Sequence, residues 1–232
     1  MIKSIFQFAC IFAFSLILHT TYAQNTQERN VGSFNQIKIG GAYDVFIKKG
    51  SSASVRLEGP TKDLDKITTE VKDGVLKVQK KKNVSWGWNA GKSVKVYITY
   101  TELKGLHSSG SSDVKVENTV NASDFSLSCS GSGDIHIPLK VSSLSARISG
   151  SGDMEIEGNC DEENFSISGS GDIEASGLEA KKATLKISGS GSIRLHVTDY
   201  LEGHISGSGK VRYKGDPRQK VKISGSGSVR QE

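Results

Sequence analysis

Seven times along its second half this chain returns to a tight corner of glycine and serine, at a nearly constant interval. Numbered from the first glycine of each corner, the copies fall at Gly110, Gly131, Gly150, Gly169, Gly189, Gly207 and Gly225, with gaps of 21, 19, 19, 20, 18 and 18 residues. Six copies carry a glycine pair: Gly131 and Gly133, Gly150 and Gly152, Gly169 and Gly171, Gly189 and Gly191, Gly207 and Gly209, Gly225 and Gly227. A period near 20 with a spacer of variable length is the mark of a solenoid, in which each coil covers its apolar face with the next.

The residues flanking the corners keep a clear parity. Two before the glycine stand Ile148, Ile167, Ile187, Ile205 and Ile223, and four before it Leu106, Leu127, Phe165, Leu185 and Val221. Four after it come Val114, Ile135, Met154, Ile173, Ile193, Val211 and Val229, and six after it Val116, Ile137, Ile156 and Leu195. Alternation with period two describes a strand with one buried face, so odd positions such as Ser149, Ser151 and Asp153 should meet solvent. The expected fold is all-β: a single-stranded parallel β-helix of 18–21 residues per coil. Each glycine in extended structure costs about 0.5–1 kcal/mol relative to alanine. Twelve such residues are tolerable only where the backbone leaves no room for a Cβ. A sharp corner between two sheets is such a place. A flexible Gly/Ser linker would not hold β-branched residues at fixed offsets on both sides of every corner.

The same frame occurs once earlier. Ile37, Ile39, Gly40-Gly41, Asp44, Val45 and Ile47 match the offsets of the later copies, with Ala42-Tyr43 in place of Ser-Gly. Between this copy and Gly110 the corner motif is lost and the strands lengthen. Residues 68–71 and 75–78 flank Asp73-Gly74, a hairpin signal. Residues 94–99 alternate again, and 63–67 suit a single helical turn. Residues 31–105 are therefore expected to form an irregular N-terminal cap, and 106–232 the regular coils, because stacked repeats need an atypical terminal unit. The chain ends seven residues past Gly225, with its last coil scarcely begun. An open edge of that kind invites another strand, so self-association or partner docking is expected there.

The first 23 residues read as a secretory signal peptide. Lys3 precedes an apolar run over residues 5–18, and Thr21-Tyr22-Ala23 offers a small-x-small cleavage site before Gln24. The run is shorter than the roughly 20 residues a membrane span needs, and no second apolar stretch follows. Cys10 reads as a small hydrophobe within that run. Residues 24–30 should then be a short flexible N-terminus. Cleavage removes one of 30 basic residues and none of 25 acidic ones, leaving 29 − 25 = +4, too little to argue for nucleic acid. The protein would be exported, to the periplasm or the cell surface. Two cysteines remain. Cys129 stands where other copies place isoleucine, so it should be a buried small side chain. Cys160 lies in a different phase of the coil, which argues against a disulfide between them.

Chemistry-bearing residues are few. Asp113, Asp134, Asp153 and Asp172 share one outward position, three after the corner glycine, on consecutive coils. They answer to three readings: turn chemistry on backbone N–H groups, a calcium site, or an acid/base pair acting on glycans. His107 and His204 precede their glycines by three, while His136 and His196 follow by five and seven. All are outward, and none has a partner at metal-ligand spacing. No nucleophile elbow, phosphate loop or dinucleotide fingerprint occurs in its required setting, so no catalytic residue, metal or cofactor is assigned. One segment reads as a contact surface: Lys80-Lys81-Lys82 leads to Trp86 and Trp88, the only tryptophans. Indoles beside lysines can stack on sugar rings or meet a protein partner, or one Trp can close the end of the stack.

Residues 31–47, VGSFNQIKIGGAYDVFI, together with 94–114, VKVYITYTELKGLHSSGSSDV, and the SGSGD copies that follow, resemble the head GIN domain family of proposed autotransporter adhesins from Bacteroidota and relatives. The likeness covers nearly all of the chain after the signal peptide. It implies a right-handed parallel β-helix related in shape to pectin lyases, no conserved catalytic residues, and a role in adhesion to an unidentified glycan or protein. The chain departs from the motif at Ser192, Lys210 and Ser228, where the Asp after the corner is lost. A carbohydrate-active β-helix enzyme, or a binding relative of one, and a purely structural envelope scaffold are the competing readings.

Overall fold

The computed structural model describes residues 25–82 and 94–232. In chain order the strands are β1 (Asn25–Arg29), β2 (Gln36–Gly41), β3 (Asp44–Lys49), β4 (Ser54–Gly59), then the one-turn helix α1 (Thr61–Leu64). β5 (Ile67–Lys72), β6 (Val75–Lys80), β7 (Lys95–Tyr100), β8 (Gly105–Gly110) and β9 (Asp113–Val116) follow. The coils proper are β10 (Val120–Gly131), β11 (Ile135–Gly150), β12 (Met154–Gly169), β13 (Ile173–Gly189) and β14 (Ser192–Gly207). The chain closes with β15 (Lys210–Lys214), β16 (Arg218–Gly225) and β17 (Ser228–Gln231).

The result is a parallel β-solenoid of about seven turns. Strands such as β11 and β12 run unbroken from one corner to the next, and each pairs in parallel with the coil before and after it. The corner glycines stack in one column, Gly41 on Gly110, then Gly131, Gly150, Gly169, Gly189, Gly207 and Gly225. A single apolar core fills the interior, and the even offsets supply it: Ile148, Ile167, Ile187 and Ile205 are all at most 2% exposed. Cys129 occupies the same column, paired in register with Ile148, and both it and Cys160 are buried free thiols.

The corner accounts for its glycines through the coil beneath it. At Gly150, where φ is +136°, a Cβ would stand 2.3 Å from the carbonyl oxygen of Gly131. That same oxygen accepts the Ser151 N–H at 2.9 Å, so it cannot retreat without breaking the ladder. At Gly152 a Cβ would stand 2.2 Å from the Gly133 oxygen. Coils meet backbone to backbone there. In the first two copies the second position is Tyr43 and Ser112, both buried, and the Ser112 hydroxyl accepts the Tyr43 N–H at 3.0 Å.

The N-terminal third has an order that the chain itself does not follow. β2 and β3 form a coil that stacks directly on β8 and β9, although paired residues such as Gly41 and Gly110 are 69 positions apart in the chain. The intervening chain goes outward. β6 and β7 add one further coil against the opposite side of β2 and β3, and the antiparallel strands β4 and β5 flank it. The Asp73-Gly74 turn joins β5 to β6, with φ of 52° and 73°. The helical turn falls at Thr61–Leu64, earlier than 63–67, because Pro60 fixes its start. Asn25–Arg29, within the 24–30 stretch expected to be a flexible leader, is instead a strand. Asn25–Arg29 pairs antiparallel with β4, whose outer edge would otherwise be left open. Arg29 then donates to the carbonyl of Leu64 at 3.2 Å, and Asn25 to Thr61, tying this strand to α1. At the far end Ile223 is 45% exposed, and among the described residues β16 and β17 each pair along one edge only.

Candidate functional site

The strands that follow the corner carry two outward columns. Three residues after each corner glycine stand Asp44, Asp113, Asp134, Asp153 and Asp172, then Ser192, Lys210 and Ser228. Five after it stand Phe46, Lys115, His136, Glu155 and Glu174, then Arg194, Arg212 and Arg230.

The aspartates form a ladder with a definite task. The Asp134 N–H donates to Asp113 Oδ1 at 3.2 Å, Asp153 N–H to Asp134 Oδ1 at 3.0 Å, and Asp172 N–H to Asp153 Oδ1 at 2.9 Å. The last rung is the Ser192 N–H on Asp172 Oδ1 at 2.7 Å. Asp113, Asp134, Asp153 and Asp172 thus each accept the amide at their own position one coil further on, whereas the Asp113 N–H donates to the Tyr43 carbonyl at 2.9 Å and leaves Asp44 outside the ladder. Charge-assisted bonds of this kind are stronger than neutral ones. The loss of Asp at Ser192 and Lys210 accompanies a change in how the next amide in the column is satisfied. β11, β12 and β13 begin four residues after their glycines, whereas β14, β15 and β17 begin three after, at Ser192, Lys210 and Ser228. Beyond Ser192 the amide reaches backbone instead: Lys210 N–H to the Gly191 carbonyl at 3.2 Å, and Ser228 N–H to that of Gly209 at 3.0 Å. Among the described residues no cluster of three or more His, Cys, Asp or Glu is arranged around a metal position.

Along these columns runs an open groove of about 680 Å³, bounded by the Asp ladder on one side and Phe46, Lys115, His136, Glu155 and Glu174 on the other. Phe46 closes its N-terminal end, stacked on Tyr97 at 5.2 Å with rings 19° apart, and the Arg56 guanidinium lies 3.9 Å over Tyr97. His136 Nδ1 meets Glu155 at 3.0 Å. Burial raises the Glu174 carboxyl, but hydrogen bonds from Ser176 and Arg194 outweigh that and hold it below the usual carboxylate range. Past Glu174 the floor turns basic: Arg194, Lys210 and Arg212 line the continuing cleft, then Arg230.

The other marked residues do not join this groove. Lys80, Lys81 and Lys82 are exposed at the end of β6, and the Lys81 N–H donates to the Lys66 carbonyl at 2.8 Å. Trp86 and Trp88 lie outside the described residues. His107 sits on the other sheet, where burial and then Lys38 lower its pKa.

One residue escaped the sequence reading. Glu163 is 3% exposed, and neither carboxyl oxygen has a hydrogen-bond partner among the described residues. It stands in the core column Phe125, Leu144, Glu163, Ala183, Leu201. Burial pushes its pKa well above the ordinary value. The signal was available, since Glu163 precedes Gly169 by six, an even and therefore inward offset.

A parallel solenoid with stacked glycine corners and a carboxylate ladder on one outer face is the class of protein this geometry defines. The "Putative auto-transporter adhesin, head GIN domain" family model matches residues 33–217, and the chain belongs to that family. Its fold is similar to that of a "putative adhesin" from Bacteroides fragilis, at a TM-score of 0.85 and 25% identity, covering 91% of this chain and 98% of that one. A "putative lipid binding protein" from Parabacteroides distasonis is similar at a TM-score of 0.75 and 26% identity, covering 91% and 98%. A "putative adhesin" from the same species gives 0.73 and 26%, covering 90% and 97%. No curated protein matches the sequence.

Proposed function

We propose that this protein performs no chemistry of its own and acts as an exported adhesin or envelope-contact module, presenting a rigid repetitive surface to a glycan or protein ligand. The observation that carries this reading is the employment of the Asp ladder. Its carboxylates, the most enzyme-like feature of the chain, each hold a backbone amide of the next coil. A glycoside-cleaving pair needs one carboxyl free to give up a proton and another free to attack or to activate water. Residues committed to holding successive coils in register are poorly suited to either task. Coils of 18–21 residues also leave no long loops to wall a substrate from water. Family membership supports adhesion as the class of role.

The test is a screen of the purified protein against glycan arrays and extracellular-matrix proteins, with the Trp86→Ala/Trp88→Ala double variant alongside. Binding that the double variant loses assigns the contact to the segment between β6 and β7. Release of reducing or unsaturated ends from any polysaccharide would overturn the reading in favour of an enzyme. A folded protein that binds nothing in the screen would favour the scaffold.

A further inference from the structure

The groove face changes sign along its length, and the change has a geometry. In its two columns the coils from Asp44 to Glu174 carry seven carboxylates against Lys115 and His136, whereas the coils beyond carry Arg194, Lys210, Arg212 and Arg230, with the Glu232 carboxylate beside the columns at 3.8 Å from Arg194 and 3.9 Å from Arg212. The side chains concerned are available: Glu155 is 57% exposed, Glu174 37%, Arg194 50% and Arg212 50%. A face that is acidic at one end and basic at the other is complementary to itself when turned end for end.

We propose that this face docks a second copy of the chain, with the two solenoid axes antiparallel. The two-fold axis lies in the interface, parallel to the strands, between the coil of Glu174 and the coil of Arg194. Each column then faces its own counterpart with the coil order reversed, as an isologous contact requires. The central rung sets Glu174 against Arg194 of the second copy, and by symmetry Arg194 against Glu174. Because Glu174 and Arg194 already pair within one chain at 2.9 Å, the four groups close into a square of alternating charge. The next rung sets Glu155 against Arg212 and Asp153 against Lys210. The opposite alignment, with axes parallel, puts every coil against its own copy and carboxylate against carboxylate.

Size decides what kind of dimer this is. Six coils at about 4.8 Å and five strand residues at about 3.3 Å give a face of roughly 29 by 16 Å. That is on the order of 500 Å² per copy, below the roughly 800 Å² per partner of a standard stable interface. The association is therefore weak, chosen by charge and sensitive to salt.

Sedimentation velocity of the full chain, from low micromolar to several hundred micromolar and at low and high salt, tests this. The expected result is a monomer–dimer equilibrium that weakens about 10-fold or more in high salt. Glu155→Arg and Arg212→Glu should each weaken it by about 10-fold, with unchanged circular dichroism, and the double variant should restore it to within about 3-fold of wild type. A wild-type protein that stays monomeric throughout would overturn the proposal and leave the face to a different partner. Self-association that ignores both single variants would overturn it equally, placing the contact elsewhere, such as on the last coil around Ile223.

Discussion

Replacing Glu163 with leucine should stabilise the protein, and by an amount that depends on pH. Leucine suits the site: the column reads Leu144 below and Ala183 above, and the two side chains are similar in volume. Even protonated, a buried carboxyl without a partner costs about 1–3 kcal/mol. A second contribution comes from ionisation. The folded-state pKa is raised, so the native protein holds this proton more tightly than the unfolded chain, where it leaves near pH 4.3. Below that pH both states are protonated and only the first cost applies. Above it the unfolded chain ionises alone, and wild-type stability falls by about 1.4 kcal/mol per pH unit until the buried group also ionises. The second contribution therefore grows with pH above the unfolded value and adds to the first. Urea unfolding followed by circular dichroism at several pH values between 4 and 7 measures the gap between Glu163→Leu and wild type. A gap that stays constant over that range, or a variant less stable than wild type, would refute the account of Glu163 as an unpaired core carboxyl.

Other substitutions probe the corner, the ladder and the thiols. Gly150→Ala forces a Cβ to within 2.3 Å of the Gly131 oxygen at a φ of +136° and should cost about 4 kcal/mol or more in the same assay. Gly177→Ala, whose nearest neighbour would be Glu157 Cγ at 3.4 Å, should change stability by less than about 1 kcal/mol. Asp153→Ala removes the acceptor of the Asp172 amide; it should cost about 0.5–1.5 kcal/mol and speed hydrogen exchange at that amide, with Asp153→Asn recovering most of both. Unchanged exchange at Asp172 would mean the ladder is incidental. Burial, followed by nearby carboxylates, raises both thiols, Cys160 to about 12, so neither should react with a disulfide reagent at pH 8 until the protein unfolds.

The corners and the buried faces were legible because a period of two, read outward from a glycine, assigns every nearby residue to one side of a sheet. Parity places residues of every type, and the even offset of Glu163 is that of a core position although a carboxyl is not expected there. The stacking order of the N-terminal coils was not legible at all. The pattern around Gly41 says which way its side chains point, but β6 and β7 occupy the outermost position only through pairing with β2 and β3. Nothing local in residues 25–29 marks a strand; β1 exists because β4 needs an antiparallel partner. The Asp column was legible as a column. Its function was not, because the amide that each carboxylate accepts belongs to a residue about twenty positions away.

The loss of that Asp beyond Gly189 ties the fold to the charge of its surface. Where the strand starts four residues after the corner glycine, the amide at the third position needs an acceptor that the previous coil's backbone does not supply, and the side chain one coil earlier must provide it. From Lys210 onward the amide bonds the previous coil's backbone and the side chain one coil earlier is released from that duty, whereas Ser192, on a strand that also starts three residues after its glycine, still uses Asp172. Lys210 occupies one of the released positions, beside Arg212 on the same strand. The ladder aspartates from Asp113 to Asp172 are therefore tied to how the corners satisfy their amides, and Lys210 stands where backbone serves the next amide instead. Restoring Asp at position 210 should be tolerated by the fold, since the amide it would serve, that of Ser228, already bonds Gly209. The Lys210→Asp variant thus separates the two roles of the column. Unchanged stability with weakened self-association would place the Asp ladder's work in folding and the basic residues' work in recognition.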